Sequence, residues 1–495
     1  MSRGFGCLRT VAFALVCGCL GACASAPGVV ESDSRRSDPV SDGHLAARRV
    51  AGVTQSALLY ARSVHVEPVV RPVSYLATGG SLLLKSAGGA LRRIAINTVA
   101  MPSLDGRIPE TVATPPMDRD AWEAMLDRVT GTRQTRGTIR FLVGGEAYFA
   151  RLIDAIRNAE STIDIRTYIF DNDDYAVAVA QQLMQRARDD VRVRVMFDTL
   201  GNLQAMQVDP DTLPRDHRPP LSMALYLQQQ SGVRVRTTAN PWLVGDHTKT
   251  TIIDRQVAFI GGMNIGREYR YDWHDLMVEV RGAIVGELQY ESDKAWSRAG
   301  PLGDVAGLFT LLRGRPHGDE DFGYPVRVLQ TRNFDSDIYK AQIAAIQNAQ
   351  RYILIENAYF SDDRTLYELA RARRRGVDVR VIIPERGNHG PMNASNRVAI
   401  NQMLEHGIRV YRYPGMSHVK AAIFDGWVCV GSANFDKLSL SVNRELNIAT
   451  SEPEVAEALL RQVFIPDLLL SEEVLEPVSV TFASKLAEII ADEAL

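Results

Sequence analysis

The sequence predicts an α/β protein made of two repeated halves that share one active site at a pseudo-twofold interface. Three observations predict it. Strand-like and helix-like patterns alternate along most of the chain. A block recurs at an offset of 190 residues: Ala155-Ile156-Arg157-Asn158-Ala159 matches Ala345-Ile346-Gln347-Asn348-Ala349, and Ile163, Ile165 and Phe170 match Ile353, Ile355 and Phe360. Each copy then carries the same polar string, His247-x-Lys249-x4-Asp254 and His418-x-Lys420-x4-Asp425, followed by Gly261-Gly262-Met263-Asn264 and Gly431-Ser432-Ala433-Asn434.

In chain order, residues 1–23 fit a bacterial lipoprotein signal. Arg3 and Arg9 precede an apolar run, Val11 to Leu20, too short to span a bilayer as a stable anchor. Leu20-Gly21-Ala22-Cys23 matches a lipobox with Cys23 as the lipidated residue; an ordinary secretory signal cut near Ala24 is the alternative. Lipidation would place the protein in the cell envelope, facing the periplasm, and Ala24 after the Cys leans towards the outer membrane. Residues 24–43 are polar and read as a tether. Residues 44–101 are rich in Ala, Gly and Leu, and two readings stand: a helix in the membrane interface, or one packed on the catalytic body. Residues 102–116 form a linker.

The first repeat is expected over 138–300, a connector over 301–325, the second repeat over 326–470 and a tail helix over 471–495. The repeated block is separated by 190 residues but the histidines by only 171, so the first copy carries extra loop, placed at Asp209 to Pro220 with its four prolines. Of five Cys, three leave with the signal. Cys429 lies in an apolar strand as a core residue, so no intrachain disulfide is expected.

Strand parity sorts the motif residues. His247 and Lys249, two apart, share a face, whereas Asp254 has the opposite parity and falls at the turn. Asp254 and Asp425 are therefore read as turn-holding residues. With Arg255-Gln256 as a two-residue loop, Asn264 would lie opposite His247 and Gly262 opposite Lys249. The second copy is one residue shorter between Asp and Gly, which centres its turn on Gly426 and suggests an odd-length turn or a bulge. Only seven of the 56 basic residues are Lys, and two of those seven stand at the motif position. A compact ammonium suits a phosphoryl oxygen.

This double motif, with Gly261 to Tyr269 and Gly431 to Glu445 around it, resembles the phospholipase D superfamily, cardiolipin-synthase-type members in particular, over roughly residues 139–470. The resemblance implies phosphodiester exchange without metal or other cofactor. One His attacks phosphorus and the other protonates the leaving oxygen; by analogy His247 is the nucleophile and His418 the acid, although the roles are exchangeable. It also implies an acidic residue behind each His. Asp275, 28 residues after His247, and Glu445, 27 after His418, fit that spacing. Lys249, Lys420, Asn264, Asn434 and Ser432 would meet the phosphate. No His/Cys cluster in the sequence offers a metal site.

The implied substrate is a phospholipid at a membrane, with cardiolipin synthesis from phosphatidylglycerol as the first expectation and hydrolysis to phosphatidic acid as the second. A net charge of −3 does not advertise nucleic-acid binding, which weighs against a nuclease. Both motifs are complete, which weighs against a non-catalytic lipid-binding scaffold. Other notable residues have plain readings: Arg371 to Arg375 as a helix cap, His274 as structural, His389 as a loop residue or a headgroup contact, and Trp242 as an acyl-entrance or packing residue.

Overall fold

A computed structural model describes residues 58–98, 104, 107–112, 114–205, 212–238, 240–312 and 322–480. The expected signal, Cys23, the tether, part of the proline-rich insertion and residues 481–495 of the expected tail helix lie outside them; the described part of that tail, 471–480, is not helical but adds the short strand Glu472–Glu473 to the sheet.

The first half contributes β1 (Thr135–Val143), β2 (Thr162–Thr167), β3 (Arg192–Phe197), β4 (Arg234–Thr237), β5 (Thr250–Ile253), β6 (Val257–Gly261) and β7 (Leu276–Arg281). The second contributes β8 (Tyr324–Arg332), the short β9 (Asp335–Ser336), β10 (Tyr352–Asn357), β11 (Asp378–Pro384), β12 (Arg409–Tyr413), β13 (Lys420–Phe424), β14 (Trp427–Gly431), β15 (Glu445–Thr450) and β16 (Glu472–Glu473). They form one continuous sheet ordered β16-β12-β11-β10-β13-β14-β15-β8-β1-β7-β6-β5-β2-β3-β4, with β9 paired to β8. Read outward from the antiparallel β8–β1 junction, the two wings present corresponding strands in the same order, as the repeat predicts.

Each wing has its own core, one around Phe149, Val195 and Phe259 and the other around Ile355, Val381 and Phe424. A third core joins the halves: Ile252, Ile260 and Val278 pack with Ala421, Val430 and Ile448. The strands bearing the two motifs thus meet across a buried apolar seam, and this fixes the polar ends of those strands relative to one another.

Both ends of the first repeat hold more structure than expected. The linker residues pack along the second half, with Val112 N–H donating to Gly376 O and Arg373 donating to Pro109 O. Helix Arg119–Thr130 then buries Trp122 and Leu126 in the second half's core, Trp122 edge-on to Trp427 at 5.2 Å. The connector contains helix Gly303–Leu312. Arg371, Arg373 and Arg374 end helix Asp363–Arg374, and Arg375 donates to Ile346 O and Ala349 O, so this basic run caps carbonyls. Cys429 is a buried free thiol.

The hairpin register corrects the expected one. Ile253 pairs with Val257, so the first turn has three residues, Asp254-Arg255-Gln256, the first two at φ 52° and 60°. Phe424 pairs with Trp427, leaving the two-residue turn Asp425-Gly426 at φ 49° and 97°. The odd-length turn therefore belongs to the first copy. Continuing each register sets Lys249 across from Gly261 and Lys420 across from Gly431, so the longer turn absorbs the one-residue difference. Asn264 falls beyond the position opposite His247.

Candidate active site

Asp254 and Asp425 sit at the far ends of the motif strands and hold turns. Asp254 accepts the backbone N–H groups of Glu160, Ser161 and Thr162 at 2.7–2.8 Å. Asp425 accepts those of Met117, Gln350, Arg351 and Tyr352 at 2.7–3.0 Å. Each carboxylate thereby ties its hairpin to the start of the neighbouring strand, β2 or β10.

At the near ends the two halves interlock. His247 N–H donates to Arg444 O at 2.9 Å, and His418 N–H donates to His274 O at 2.6 Å. The residue that follows each of these carbonyls is the acidic one, so the carboxylates cross over. His247 Nδ1 lies 2.9 Å from Glu445 Oε1, and His418 Nδ1 lies 2.7 Å from Asp275 Oδ2. The same-half pairing expected from spacing is corrected: Asp275 backs His418 and Glu445 backs His247. Sequence separation could not distinguish the two, because the backbone bridges that align the carboxylates run between halves. A carboxylate on Nδ1 holds the proton there and presents the Nε2 lone pair to the site.

Lys249 and Lys420 are 1% and 3% exposed, and each ammonium donates to the carbonyl of its own histidine, at 2.8 and 2.6 Å. Two N–H groups on each remain for an anion. Burial pushes Lys420 down to about 8 against the pull of Asp275 and Glu445, and pushes Lys249 well below its ordinary value. Burial also lowers both imidazoles; His418 falls well below its usual range, pushed further by Lys420, Lys249 and His247. Asp275, wholly buried, is raised to about 6. Four cationic or protonatable groups and two carboxylates thus act on one another in one small buried volume.

The remaining expected phosphate ligands divide. Asn264 Oδ1 accepts from Ile169 N–H and Thr167 Oγ1, and its Nδ2 donates to Tyr269 Oη at 2.7 Å, which leaves one N–H for substrate. Asn434 keeps its side-chain oxygen buried and unpaired. Ser432 is corrected: its hydroxyl donates to Glu445 Oε2 at 2.6 Å and accepts Leu446 N–H, so it orients the carboxylate instead of touching phosphate. Its counterpart is Gly262, where a Cβ would collide with the Asp275 carboxylate. Glycine with the shorter Asp and serine with the longer Glu are two solutions to the same space.

A model of the family described as cardiolipin synthase, PLD-like domain, matches residues 152–296 and 342–464, more than half of the chain. The chain belongs to this family, within the phospholipase D superfamily. It is 28% identical over 338 residues to cardiolipin synthase A of Pseudomonas putida strain W619, covering 64% of this chain and 66% of that protein. Against cardiolipin synthase A of strain GB-1 it is 26% identical over 425 residues, covering 81% and 84%. With a probable cardiolipin synthase of Bacillus subtilis it shares 27% over 357 residues, 66% of this chain and 65% of that one. Among solved structures, phosphatidylserine synthase of Haemophilus influenzae superposes with a TM-score of 0.57 at 13% identity, over 76% of this chain and all of that one, a likeness of fold.

Within this phospholipase D fold the halves differ in what lies behind each histidine. Beside His247, Asp246 is held by Arg166 in a buried pair at 2.8–3.1 Å, with Arg444 half-buried nearby. Arg166 corresponds to Glu356 at the repeat offset, and Asp246 to Ser417. There Ser417 Oγ donates to Glu356 at 2.6 Å, and His274 Nε2 meets Asp467 at 2.8 Å while stacking on Tyr413. His274, Glu356 and Asp467 bring their ligand atoms within 4.8 Å of one another. The sequence hid this set, because its members are scattered over 193 positions and join only through the sheet. His274 thus faces away from the dyad, as strand parity predicts.

Three aromatic groups and a third imidazole complete the surroundings. Tyr168 meets His247 edge-on at 4.9 Å and lies under Lys249 at 5.2 Å, whereas Tyr269 and Trp273 flank His418 at 5.8 and 5.3 Å. None of the three was singled out from sequence. His389 is half-buried 6.1 Å from the Tyr359 ring, and burial and then His247 lower its pKa, which brings it into the electrostatic reach of the dyad.

Proposed function

We propose that the protein transfers phosphatidyl groups between glycerophospholipids, forming cardiolipin and glycerol from two phosphatidylglycerols. The observation that carries this reading is the crossed pair of carboxylate-held histidines between two buried ammonium groups, in a member of the cardiolipin synthase family. In the first step His247 Nε2 attacks phosphorus, and the glycerol oxygen leaves with a proton from His418 Nε2. In the second, a hydroxyl of another phosphatidylglycerol gives its proton to His418 and attacks phosphorus, releasing His247. Lys249 and Lys420 meet the charge on the phosphoryl oxygens.

Burial lowers both imidazoles, and Lys420 and Lys249 lower His418 further. A bound phosphodiester offsets those ammonium charges and so favours the His418 imidazolium that the acid role needs. The lipobox further leads us to propose that Cys23 is lipidated and holds the enzyme at the bacterial envelope. Among the described residues no helix is long and apolar enough to cross a membrane.

The test supplies labelled phosphatidylglycerol to purified protein, with and without a chelator. Cardiolipin plus glycerol, unaffected by chelator, is expected. Phosphatidic acid would make water the acceptor. Loss of activity with chelator would contradict the metal-independent chemistry and direct attention to His274, Glu356 and Asp467.

A further inference from the structure

The helical segment 58–70 and residues 72–85 of helix Pro72–Thr98 bury polar groups on the catalytic body and turn apolar ones outward. The side turned to the protein carries, beside Leu59 and Tyr75, the polar residues Ser63, Glu67, Arg71, Thr78 and Ser81, these five at most 3% exposed. These groups are spent on the body. Glu67 pairs with Arg71 and Arg62, Arg71 donates to Arg298 O and Gly300 O, Asn333 donates to Thr78, and Phe334 N–H donates to Ser81. The outer side is apolar: Leu58, Val69, Val73, Leu76 and Leu84 are 64–78% exposed, spaced so that they share one stripe.

Helix Gly303–Leu312 extends this surface. It is joined to the first helix by Asp304, which accepts Ser74 N–H at 2.9 Å, and by close packing of Gly303 on Val70. Its Val305, Leu308, Phe309 and Leu312 are again outside, 56–73% exposed. A helix on a water-facing surface places its polar side outward; two adjoining helices that both expose a row of large apolar side chains form a large apolar face.

Its position identifies what covers it. Tyr75 stacks on Trp242 at 4.8 Å, and Trp242 Nε1 donates to Tyr75 O; Trp242 is five residues before His247. Lys85 reaches Ser441 O, four residues before Glu445. The helix therefore bridges the two segments that carry His247 and its carboxylate, at the rim of the site. We infer that this face docks on the surface of a lipid bilayer, holding the site at headgroup level while the acyl chains of the substrate stay in the membrane. The inference rests on the phospholipid reading above, and the proposed Cys23 anchor lies only 35 residues ahead of Leu58.

The test attaches an environment-sensitive fluorophore at Leu76→Cys or Phe309→Cys, with exposed Glu472→Cys as control, in full chains carrying His247→Ala and serine at positions 7, 17, 19 and 23. Vesicles of phosphatidylglycerol and phosphatidylcholine are added. A blue shift with at least threefold brightening at 76 and 309, and none at 472, is expected. No shift at either site, an equal shift at 472, or a shift that follows protein concentration without vesicles (a second copy covering the face) would overturn the inference. In the otherwise unaltered chain, Val69→Ser, Leu76→Ser, Leu308→Ser and Phe309→Ser together should lower turnover on vesicles at least tenfold and spare that of a monomeric short-chain phosphatidylglycerol. Blue shifts in a protein that never turns over phosphatidylglycerol would uphold the surface and sink the proposed reaction.

Discussion

The two halves place His, Lys and Asp of the motif alike but back them with different groups. Behind His247, Arg166 pairs with Asp246, whose N–H donates to Asp198; behind His418, Glu356 accepts from Ser417 and Asp467 meets His274. Burial raises Glu356 well above the ordinary carboxylate range, with Asp467 next as cause. The duplication supplied a symmetric frame, and the positions one layer behind it make the two histidines inequivalent. A nucleophile and an acid need that inequivalence, since both cannot hold the same protonation state at once.

The largest effects come from removing the dyad. His247→Ala and His418→Ala should each lower turnover roughly 10⁴-fold or more, and combining them should cost little beyond either alone, as groups acting as one unit do. Steady-state rates of the two variants and the double variant check this; additive losses would mean two independent sites.

The lysines give the next effect. Lys420 must be charged to meet a phosphoryl oxygen, and its pKa is depressed to about 8. Raising pH through that value discharges it, so kcat/KM should steepen its fall above about pH 8, beyond the earlier loss as His418, lowered by burial and by the lysines, gives up its proton. His247, lowered by burial, stays neutral below the ordinary imidazole range, so the acid limb should lie below about 6.5. A pH–rate profile on a non-ionising substrate reads both limbs.

The two motif aspartates sharpen the contrast between chemistry and scaffold. Asp425→Ala leaves four backbone N–H groups without their acceptor and should cost about 3 kcal/mol of stability, with kcat of the folded fraction retained. Asp254 gives a test in pH. Burial raises its pKa, but the N–H groups of Glu160, Thr162 and Ser161 outweigh this and leave it lowered. Its contribution is therefore present above the usual carboxylate range and lost as pH falls through its depressed value. Chemical denaturation between pH 2 and 6 should show a shallower acid loss in Asp254→Asn. The smallest effect belongs to His389→Ala: steady-state kinetics should show KM raised roughly threefold to tenfold with kcat kept, as loss of a headgroup contact would give.

Much of this was legible in the sequence because it depends on local order. The repeat showed both wings of the sheet, and parity separated His247 and Lys249 from Asp254. What escaped depends on pairing between distant segments. The crossing of Asp275 and Glu445 follows from backbone bridges between halves. The turn length failed because Asp254 joins the turn at φ 52°, a conformation disfavoured for a non-glycine residue and held here by three N–H donors. Tyr168, Trp273, Glu356 and Asp467 carry no motif; only the assembled core brings them to the site. The stretch 44–101 was legible as rich in Ala, Gly and Leu, but which side of its helices would face the body was invisible until Glu67, Arg71, Thr78 and Ser81 had partners.

The most direct test of the crossed arrangement compares leaving groups. A phosphodiester with a good aryl leaving group needs no acid, whereas phosphatidylglycerol does. Asp275→Asn and His418→Ala should both recover most of their lost rate on the aryl substrate, while Glu445→Gln and His247→Ala should not. Recovery by Glu445→Gln together with His418→Ala would show that each carboxylate serves the histidine of its own half, and would contradict the interlocked site.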